Sequence, residues 1–476
     1  GVIITASAKT DEIVHQAAQM CRKRGRIILV GVVGLNLHRE DFYAKELTFQ
    51  VSCSYGPGRY DEKYEQANQD YPMGYVRWTE QRNFEAVLST IAAGRLNVER
   101  IITHRFPFER ALEAYKQIHS NASAIGVLLT YPGEPATDQV VTMKQPAVGT
   151  ADNVRVGVIG AGSFAKGVLL PALSRTTAEL AHIADLNPTA AAHAARKFGI
   201  EQVSTDYRAV LDDKKILAVF ILVGHHLHAR FVCEALQAGK HVFVEKPLAM
   251  SKAELTQVAE AVEANPERML MVGFNRRFSP HTFRVKEALA GRIEPLTMSM
   301  MVNAGAIPAD HWTQDPERGG GRIIGEGCHF INLLSHLAGS PVATVSAMMV
   351  GEGPSVREDK MAILLHFADG SIGAVNYFAN GSKSYPKETV EIYSEGRVLR
   401  IENFRVTRGY GVPQLRKFKT VRQDKGHRAE VMAFIERIKN GGPPLIPFDE
   451  LHNSTEASFA AVEAARTMTM LHIHGR

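Results

Sequence analysis

The first 130 residues alternate short apolar runs with stretches that have helical periodicity. Three apolar runs predict buried strands, at residues 2–7, 26–34 and 47–56. Three amphipathic stretches predict helices, at residues 10–25, 83–94 and 108–119. Apolar runs separated by helices are typical of parallel strands that are covered on both faces. This region is therefore predicted to form an α/β unit.

A polar stretch interrupts this pattern. Residues 131–153 are rich in Pro, Gly, Thr and Asp and show no periodicity, so they predict a linker. A new series of strand–helix units begins at Val154 and continues to residue 272. Its apolar strand runs again favour a parallel sheet.

From Gly273 to the C-terminus, apolar and polar positions alternate as in strands with one buried face. Asp369-Gly370 and Glu395-Gly396 stand between such strands and are typical hairpin turns. Residues 448–472 return to a helical pattern. Residues 273–476 are thus predicted to form an α+β domain with a large open, mostly antiparallel sheet and a C-terminal helix.

Length and composition narrow the classes of protein that fit this sequence. A chain of 476 residues is too long for one core and favours two or three domains. A net charge of +5, with both signs interspersed, argues against a nucleic-acid partner, and no apolar run is long enough to span a bilayer. The four cysteines are far apart, which suits a cytoplasmic protein. Because the chain opens in a strand pattern at Gly1, we expect a further segment before it.

A glycine-rich turn follows the first strand of the second series and is its clearest functional signal. The motif residues are Gly160, Gly162, Ser163, Phe164 and Ala165. On its own, such a turn is weak evidence for a binding site, because glycines also occur in turns that bind no ligand. Here the turn joins a strand to a helix, and Asp185 follows at the end of the next strand. This combination predicts a Rossmann, doubly wound parallel sheet with a pyrophosphate at the helix N-terminus. Asp185 favours NAD, since its charge repels a 2′-phosphate, although NADP remains possible.

Glu245, Lys246 and Pro247 end a buried strand of the same sheet. Ligands of open α/β sheets bind beyond the carboxyl ends of the strands. Lys246 is therefore expected at the mouth of the crevice, where it can reach a cofactor ribose and a substrate hydroxyl. The alternative is that Lys246 pairs with Glu245 or extends into solvent.

These motifs resemble the Gfo/Idh/MocA family, the glucose–fructose oxidoreductase and inositol dehydrogenase group. The resemblance covers residues 154–476 and rests on the glycine turn and on three further segments, at residues 224–249, 273–278 and 319–334. It implies hydride transfer between NAD and a secondary hydroxyl or keto group of a sugar, nucleotide sugar or cyclitol. It also implies a cis peptide before Pro247 and a homo-oligomer formed through the C-terminal sheet.

The resemblance assigns roles to single residues. It makes Lys246 and His329 catalytic. Glu326 is given a supporting role on a different ground, because it is a carboxylate three residues before the histidine and can reach the same site. Besides the glycine turn and Asp185, the resemblance expects cofactor contacts from Gly224, His225, His228, Glu245 and Lys246. It expects substrate contacts from Arg276, Trp312 and His329; Arg276 could instead pair with an acidic residue. A metal is not expected.

This sequence departs from the family pattern near His329. Many members carry an Asp four residues before the histidine, where this chain has Gly325, and another three residues after it, where this chain has Asn332. Glu326 is the nearest carboxylate in the sequence. The departure keeps two alternatives open: an NAD-dependent hydrolase of glycosides with the same fold, or a dinucleotide-binding module without catalysis.

Residues 1–130 resemble the C-terminal half of a medium-chain, alcohol-dehydrogenase-like reductase. The similarity lies in the strand runs, in residues 45–50 and in the closing segment at residues 104–118. The region has no glycine turn and no set of zinc ligands. It is therefore predicted to be a partial second Rossmann unit that serves as a scaffold and binds no dinucleotide.

Overall fold

The structure is a computed structural model that describes residues 1–67, 69–120, 123–131, 140–144, 153–351 and 357–473. The chain divides into two compact units, Gly1–Ala136 and Thr137–Arg476. Most of the predicted linker, residues 132–139 and 145–152, lies outside the described residues. Residues 140–142 within it form a strand of the second unit.

The first unit contains two small parallel sheets. Its strands are β1 (Val2–Ile4), β2 (Arg26–Leu29), β3 (Thr48–Val51), β4 (Ile102–Pro107) and β5 (Gly126–Thr130). β1, β2 and β3 pair in that order, and β4 pairs with β5. Its helices are α1 (Glu12–Met20), α2 (Arg39–Tyr43), α3 (Glu62–Glu65), α4 (Glu80–Ala92) and α5 (Ala111–Ser120). A core of seven buried residues lies between the first sheet and α1.

The second unit begins with a seven-stranded sheet. Its strands are β6 (Val140–Thr142), β7 (Arg155–Ile159), β8 (Glu179–Ala184), β9 (Gln202–Ser204), β10 (Ala218–Ile221), β11 (His241–Val244) and β12 (Leu270–Val272). The strand order is β12-β11-β10-β7-β8-β9-β6, and β6 alone runs antiparallel to its neighbour. Apart from β6, this is the order of a doubly wound Rossmann sheet. The central strands β7, β10 and β11 are almost wholly buried because helices cover both faces.

The helices of this sheet follow the strand–helix alternation in the sequence. They are α6 (Leu170–Leu173), α7 (Pro188–Phe198), α8 (Arg208–Asp212), α9 (His228–Gln237) and α10 (Lys252–Ala264). A π-turn at Ala165–Leu169 leads into α6. α7 shows why such segments become helices: the Asn187 side chain caps its N-terminus, Pro188 is its first residue, and Gly199 ends it in the left-handed conformation.

The remaining residues build a nine-stranded sheet with helices on one face. Its strands are β13 (Thr297–Asn303), β14 (Val342–Met349), β15 (Lys360–Phe367), β16 (Ile372–Phe378), β17 (Glu388–Ser394), β18 (Arg397–Glu402), β19 (Val406–Tyr410), β20 (Lys417–Lys419) and β21 (Leu471–His472). The helices of this part of the chain are α11 (Pro280–Ala288), α12 (Cys328–Ala338), α13 (His427–Asn440) and α14 (Phe448–Thr467). Of these, α13 packs against the core of the Rossmann sheet, where Phe434 contacts Phe220 and Phe243. Neighbouring strands are antiparallel except β13 and β16.

The predicted fold class is confirmed: a Rossmann sheet is followed by a large, mostly antiparallel sheet. Both hairpin signals lie at turns, since Asp369-Gly370 joins β15 to β16 and Glu395-Gly396 joins β17 to β18. The predicted C-terminal helix ends at Thr467, and Leu471–His472 add a short edge strand instead. Among the described helices, none has the length and apolar character needed to cross a membrane.

Candidate functional site

A cavity of about 370 Å³ opens at the carboxyl ends of β10 and β11, between the Rossmann sheet and α12. This is where open α/β sheets bind their ligands. The lining brings together most of the residues predicted from the sequence: Phe164, His225, His228, Glu245, Lys246, Arg276, Trp312, Glu326 and His329. Asn275, Lys425 and His427 also line it.

The glycine turn lies after β7 and fits a dinucleotide. Gly160 has φ +106°, and a Cβ there would lie 2.3 Å from the Leu222 carbonyl oxygen, so the tight turn requires glycine. A Cβ on Gly162 would meet no atom within 4 Å, which leaves open space beside the backbone for a pyrophosphate. Ser163 is exposed at the turn, whereas Ala165 is buried against the sheet.

Asp185 ends β8 and its carboxylate lies against the same turn. It accepts hydrogen bonds from the Ala161 N–H at 2.6 Å and from the Asn187 N–H at 2.8 Å. Each carboxylate oxygen keeps a lone pair that a ribose hydroxyl can use. No cation stands among residues 186–193, which follow Asp185 in the sequence. A 2′-phosphate would therefore meet a negative charge without compensation from this segment.

Lys246 leaves β11 at the mouth of the cavity, and the Lys246–Pro247 peptide is cis, as the resemblance implied. Its ammonium donates to the Gly325 carbonyl oxygen at 2.9 Å and is therefore directed across the cavity. This contact differs from both alternatives considered for Lys246, which were an ion pair with Glu245 and extension into solvent. Glu245 is buried, with its carboxyl against Gly273, and burial raises its pKa to about 7.

His329 stands in the first turn of α12 with 7% of its surface exposed. Burial lowers its pKa well below 6.5, and the neighbouring Arg276 and Lys246 lower it further. The ring is therefore neutral near pH 7. Its Nδ1 atom is buried without a hydrogen-bond partner. His329 lines the cavity, so its ring can contact a ligand there.

Glu326 belongs to a π-turn, Ile323–Gly327, that precedes α12. Its carboxylate accepts hydrogen bonds from Arg322 and Lys387, both at 3.0 Å, and from the Tyr377 hydroxyl at 2.5 Å. Burial opposes its charge, but these partners outweigh burial and hold its pKa below the usual range. Glu326 therefore remains a carboxylate whose oxygens are already engaged by Arg322, Lys387 and Tyr377, and it fixes these neighbours.

The position of the absent Asp is occupied by another side chain. A Cβ on Gly325 would lie 2.7 Å from Cε1 of His225. His225 donates from Nδ1 to the Gly319 carbonyl oxygen at 2.8 Å, and its ring packs edge-on against Trp312. Burial lowers its pKa to about 3, so the ring is neutral. The His225 ring thus fills the space that a side chain at position 325 would need.

Three predicted residues are placed with less access to a ligand. His228 is fully buried, and its ring nitrogens contact the carbonyl oxygens of Pro247 and Val223. Gly224 precedes His225 and offers only its backbone. Arg276 is 5% exposed and binds both carboxylate oxygens of Glu388, at 2.7 and 2.8 Å. That pairing is the alternative that the sequence left open for Arg276.

Lys425 and His427 form a wall of the cavity that was not predicted from the sequence. Lys425 donates to Glu388 at 2.6 Å, and burial lowers its pKa. His427 begins α13, contacts the Phe164 ring, and has a pKa lowered by burial to about 4. These residues lie some 250 positions from the glycine turn and carry no motif. No group of described residues could hold a metal ion.

Comparison with known proteins assigns this architecture to a family. Residues 154–274 match the profile of an oxidoreductase family with an NAD-binding Rossmann fold, and residues 284–400 match the C-terminal domain of the same Gfo/Idh/MocA group. The site and the fold thus define an NAD(P)-dependent dehydrogenase. The chain belongs to the Gfo/Idh/MocA family.

Several relatives support this assignment. An inositol 2-dehydrogenase from Paenarthrobacter aurescens is 30% identical over 255 residues, which are 51% of this chain and 74% of that protein. Levoglucosan dehydrogenase from Pseudarthrobacter phenanthrenivorans is 28% identical over 320 residues, 58% of this chain and 81% of that protein. A solved structure of levoglucosan dehydrogenase with NADH and levoglucosan superposes with a TM-score of 0.60 at 26% identity, covering 67% of this chain and 99% of that one.

Proposed function

We propose that the second unit transfers a hydride between NAD and a secondary hydroxyl or keto group of a sugar, nucleotide sugar or cyclitol. The observation that carries the proposal is the meeting of Lys246 and His329 at one cavity, beside the glycine turn. The similar proteins are named for levoglucosan, inositol and xylose, all polyhydroxylated rings or sugars. NADP is a second cofactor candidate, since one relative is named for it.

The glycine turn would hold the pyrophosphate and Asp185 the adenosine ribose. When bound, NAD accepts or supplies the hydride. The remaining step is the movement of the hydroxyl proton, and the chain offers two groups for it. The Lys246 ammonium orients the reacting oxygen by donating a hydrogen bond. The neutral His329 ring takes the proton that the hydroxyl loses.

Glu326 and His225 are proposed to position the residues around Lys246 and His329 without contacting the substrate. Glu326 holds Tyr377, Arg322 and Lys387 in place through charge-assisted hydrogen bonds. His225 fixes the glycine segment through Gly319, and this same segment supplies the Gly325 carbonyl that orients Lys246. Both residues therefore position the reacting groups.

The test is NADH formation from NAD⁺ with inositols, free sugars and nucleotide sugars as substrates. At least one polyol should give turnover, and His329→Ala should lower kcat by a factor of roughly 10² to 10⁴, the usual contribution of a positioned acid or base. His336→Ala is a matched control, because His336 also lies on α12, is partly buried, and lines a different cavity. Release of a sugar without NADH accumulation would favour the hydrolase instead, and an unaffected His329→Ala would remove the assigned role.

We also propose that the chain associates with a second copy through the outward face of the nine-stranded sheet. Side chains alternate along β15, so Met361, Ile363 and Leu365 face the core while Leu364 is 53% exposed. Ile372 and Met348 are exposed on neighbouring strands. An open apolar face of this kind is typical of an interface. Leu364→Lys should shift sedimentation toward the monomer; an unchanged sedimentation coefficient would argue against this face.

For the first unit we propose the domain bounds and origin given by the sequence: residues 1–130 as part of a medium-chain reductase fold. Its parallel β1-β2-β3 sheet with α1 supports the proposal. Its proposed role is that of a scaffold without a cofactor site of its own. An equilibrium titration that finds one NADH per chain supports this assignment, and two per chain would overturn it.

A further inference from the structure

The cavity in the second unit is surrounded by more cations than its carboxylates can balance. Glu388 pairs with both Arg276 and Lys425, at 2.7 and 2.6 Å. Glu326 pairs with both Arg322 and Lys387, at 3.0 Å in each case. Each cluster of two cations and one carboxylate therefore carries one net positive charge.

Lys246 adds a third positive charge to the same cavity. Its ammonium binds a neutral acceptor, the Gly325 carbonyl oxygen. Among the described lining residues, Glu245 is the remaining carboxyl group, and its burial raises its pKa to about 7. Solvent screens most of the charge of Lys387, whose side chain is 43% exposed. The cations that line the cavity or are buried beside it, Lys246, Arg276, Lys425 and Arg322, then exceed the carboxylates Glu388 and Glu326 by two charges, and Glu245 can offset at most one of them.

The histidines of the cavity do not change this balance, but they respond to it. Burial is the main reason that the pKa of His225 falls to about 3 and that of His427 to about 4. In addition, Lys246 lowers the pKa of His225, and Arg276 lowers the pKa of both His329 and His427. Imidazoles on several sides of the cavity therefore experience a positive potential.

The positive charge is poorly solvated. The Arg276 side chain is 6% exposed and the Lys425 side chain 15%, and their shared partner Glu388 is fully buried. An uncompensated charge in such surroundings costs free energy that a bound anion can offset. We propose that the substrate of this site carries an anionic group, a carboxylate or phosphate on a polyhydroxylated ring, that binds beside Lys425 and His427. This inference rests on the proposed hydride transfer and names its substrate class.

Local geometry provides donors for that group. Lys425 uses one of its three N–H donors on Glu388, and its backbone carbonyl is fixed by the Asn275 amide at 2.8 Å. Two residues further on, His427 begins the fourteen-residue helix α13, with Gly426 as its N-cap. A Cβ on Gly426 would lie 2.3 Å from the Asn275 carbonyl oxygen, so this helix start is packed tightly against the cavity wall. The first N–H groups of a helix favour an anion. The Asp424 carboxylate already accepts a hydrogen bond from the Gly426 N–H at 2.9 Å, so a bound anion would use the N–H groups that follow it.

Calorimetric titration of the NADH-loaded full chain tests the inference. The probes are glucuronate and glucose 6-phosphate, with glucose as the neutral counterpart. At least one anionic probe should bind about tenfold or more tightly than glucose, a difference of about 1.4 kcal/mol. The two anionic arms distinguish a carboxylate from a phosphate. Because NADH is already bound, cations that serve only the cofactor phosphates would give no such preference.

Lys425→Met should remove most of the anion preference while the affinity for NADH stays unchanged. The Arg276–Glu388 pair remains in this variant and supports the fold, which thermal unfolding would verify. Lys252→Met is the matched control, since Lys252 is an exposed lysine on α10 that pairs with Glu463; it should leave the preference intact.

Glucose binding as tightly as both anions, or no binding of either anion, would overturn the inference, as would an equal loss of all three sugars in Lys425→Met. If NAD⁺ is reduced by neutral polyols while the preference is absent, the proposed hydride transfer stands and only the anionic substrate falls. If no polyol reduces NAD⁺ and NADH does not bind, the proposed function itself fails.

Discussion

The two units of this chain both contain parallel strands and helices, yet the cavities formed by their described residues have different linings. The second unit joins a glycine turn to Lys246 and His329 at a cavity with excess positive charge. The first unit has a cavity of about 320 Å³ lined by Asp11, Glu12, Glu40 and Asp41 with two histidines. A lining of four carboxylates repels a pyrophosphate. The local chemistry, rather than the α/β pattern, therefore decides where a dinucleotide can bind.

The two units also differ in packing. The first unit has one cluster of seven buried apolar residues, and large side chains such as Met20, Tyr75 and Leu112 are more than half exposed. The second unit has two extensive cores, one beneath each sheet. Since apolar burial is the dominant favourable term in folding, the first unit should be the less stable of the two.

The largest expected difference between the units is catalytic. Lys246→Met should lower kcat by a factor of roughly 10² to 10⁴, because the reacting oxygen loses its hydrogen-bond donor. Lys45→Met is the matched change in the first unit: Lys45 also donates to backbone carbonyl oxygens, those of Ala18 and Gln19, at 3.0 and 2.8 Å. Steady-state rates should be unaffected by the Lys45 variant. A loss of turnover in Lys45→Met would break the functional contrast.

Thermal unfolding should separate the units by stability. Calorimetry is expected to show two transitions, with the first unit unfolding at the lower temperature. NADH at about one hundred times its Kd should stabilise only the later transition, by about 2.7 kcal/mol, because a ligand stabilises the fold that binds it. If NADH shifted the earlier transition, or both transitions together, the proposal that NADH binds only to the second unit would be contradicted.

A methyl group added at Gly325 tests whether His225 and the Gly325 carbonyl hold Lys246 in position. Gly325→Ala places a Cβ 2.7 Å from His225, so the ring and the adjoining carbonyl that orients Lys246 must move. Overpacking of about 1–3 kcal/mol would lower kcat/KM by about tenfold or more. Gly167→Ala is the control, because a Cβ there meets nothing within 4 Å. Combining Gly325→Ala with His225→Ala should relieve the contact, and a milder effect in Gly325→Ala alone than in Gly167→Ala would contradict it.

The effect of pH on the core of the second unit is expected to be small over any single pH unit. Glu430 on α13 is fully buried with both carboxyl oxygens unpartnered, and burial raises its pKa well above 4.5. The folded state then binds a proton that the unfolded state releases above pH 4.5, so stability falls as pH rises through that range. Glu430→Gln should remove up to about 1.4 kcal/mol of this loss per pH unit.

Glu245, with a pKa near 7, adds to the same loss between about pH 4.5 and 7 and remains in the variant. Denaturant midpoints measured from pH 5 to 8 should therefore show a reduced slope in Glu430→Gln that is not abolished. Parallel curves for the variant and the unchanged protein would mean that Glu430 is ionised in the folded chain. Both carboxyls belong to the second unit, so the effect should appear only in its transition.

Features with a local signal could be predicted from the sequence. Apolar runs and hairpin turns were sufficient for the fold class, because they depend on neighbours within a few residues. The turn at Gly160, the strand end at Lys246 and the helix at His329 were found in the same way, and the structure brings them to one cavity. Their roles stay predictions until the variants are measured.

Other features depend on contacts between distant segments. The space at Gly325 is taken by His225, one hundred positions earlier, and Glu388 is shared by Arg276 and Lys425. The π-turn that carries Glu326 places one more residue in each hydrogen-bonded turn than an α-helix, a difference that the apolar pattern does not reveal. No periodicity marks such pairings, so the charge balance of the cavity became visible only in the folded chain.

The central claim is that the nicotinamide cofactor lies in the second unit, and energy transfer from tryptophan tests it directly. The chain has two tryptophans, Trp78 in the first unit and Trp312 on the cavity wall. With NADH bound, tryptophan excitation should produce nicotinamide emission that falls in Trp312→Phe, while direct nicotinamide excitation confirms binding in the variant. Unchanged transferred emission in Trp312→Phe, with NADH still bound, would contradict the assignment of the cofactor to this cavity.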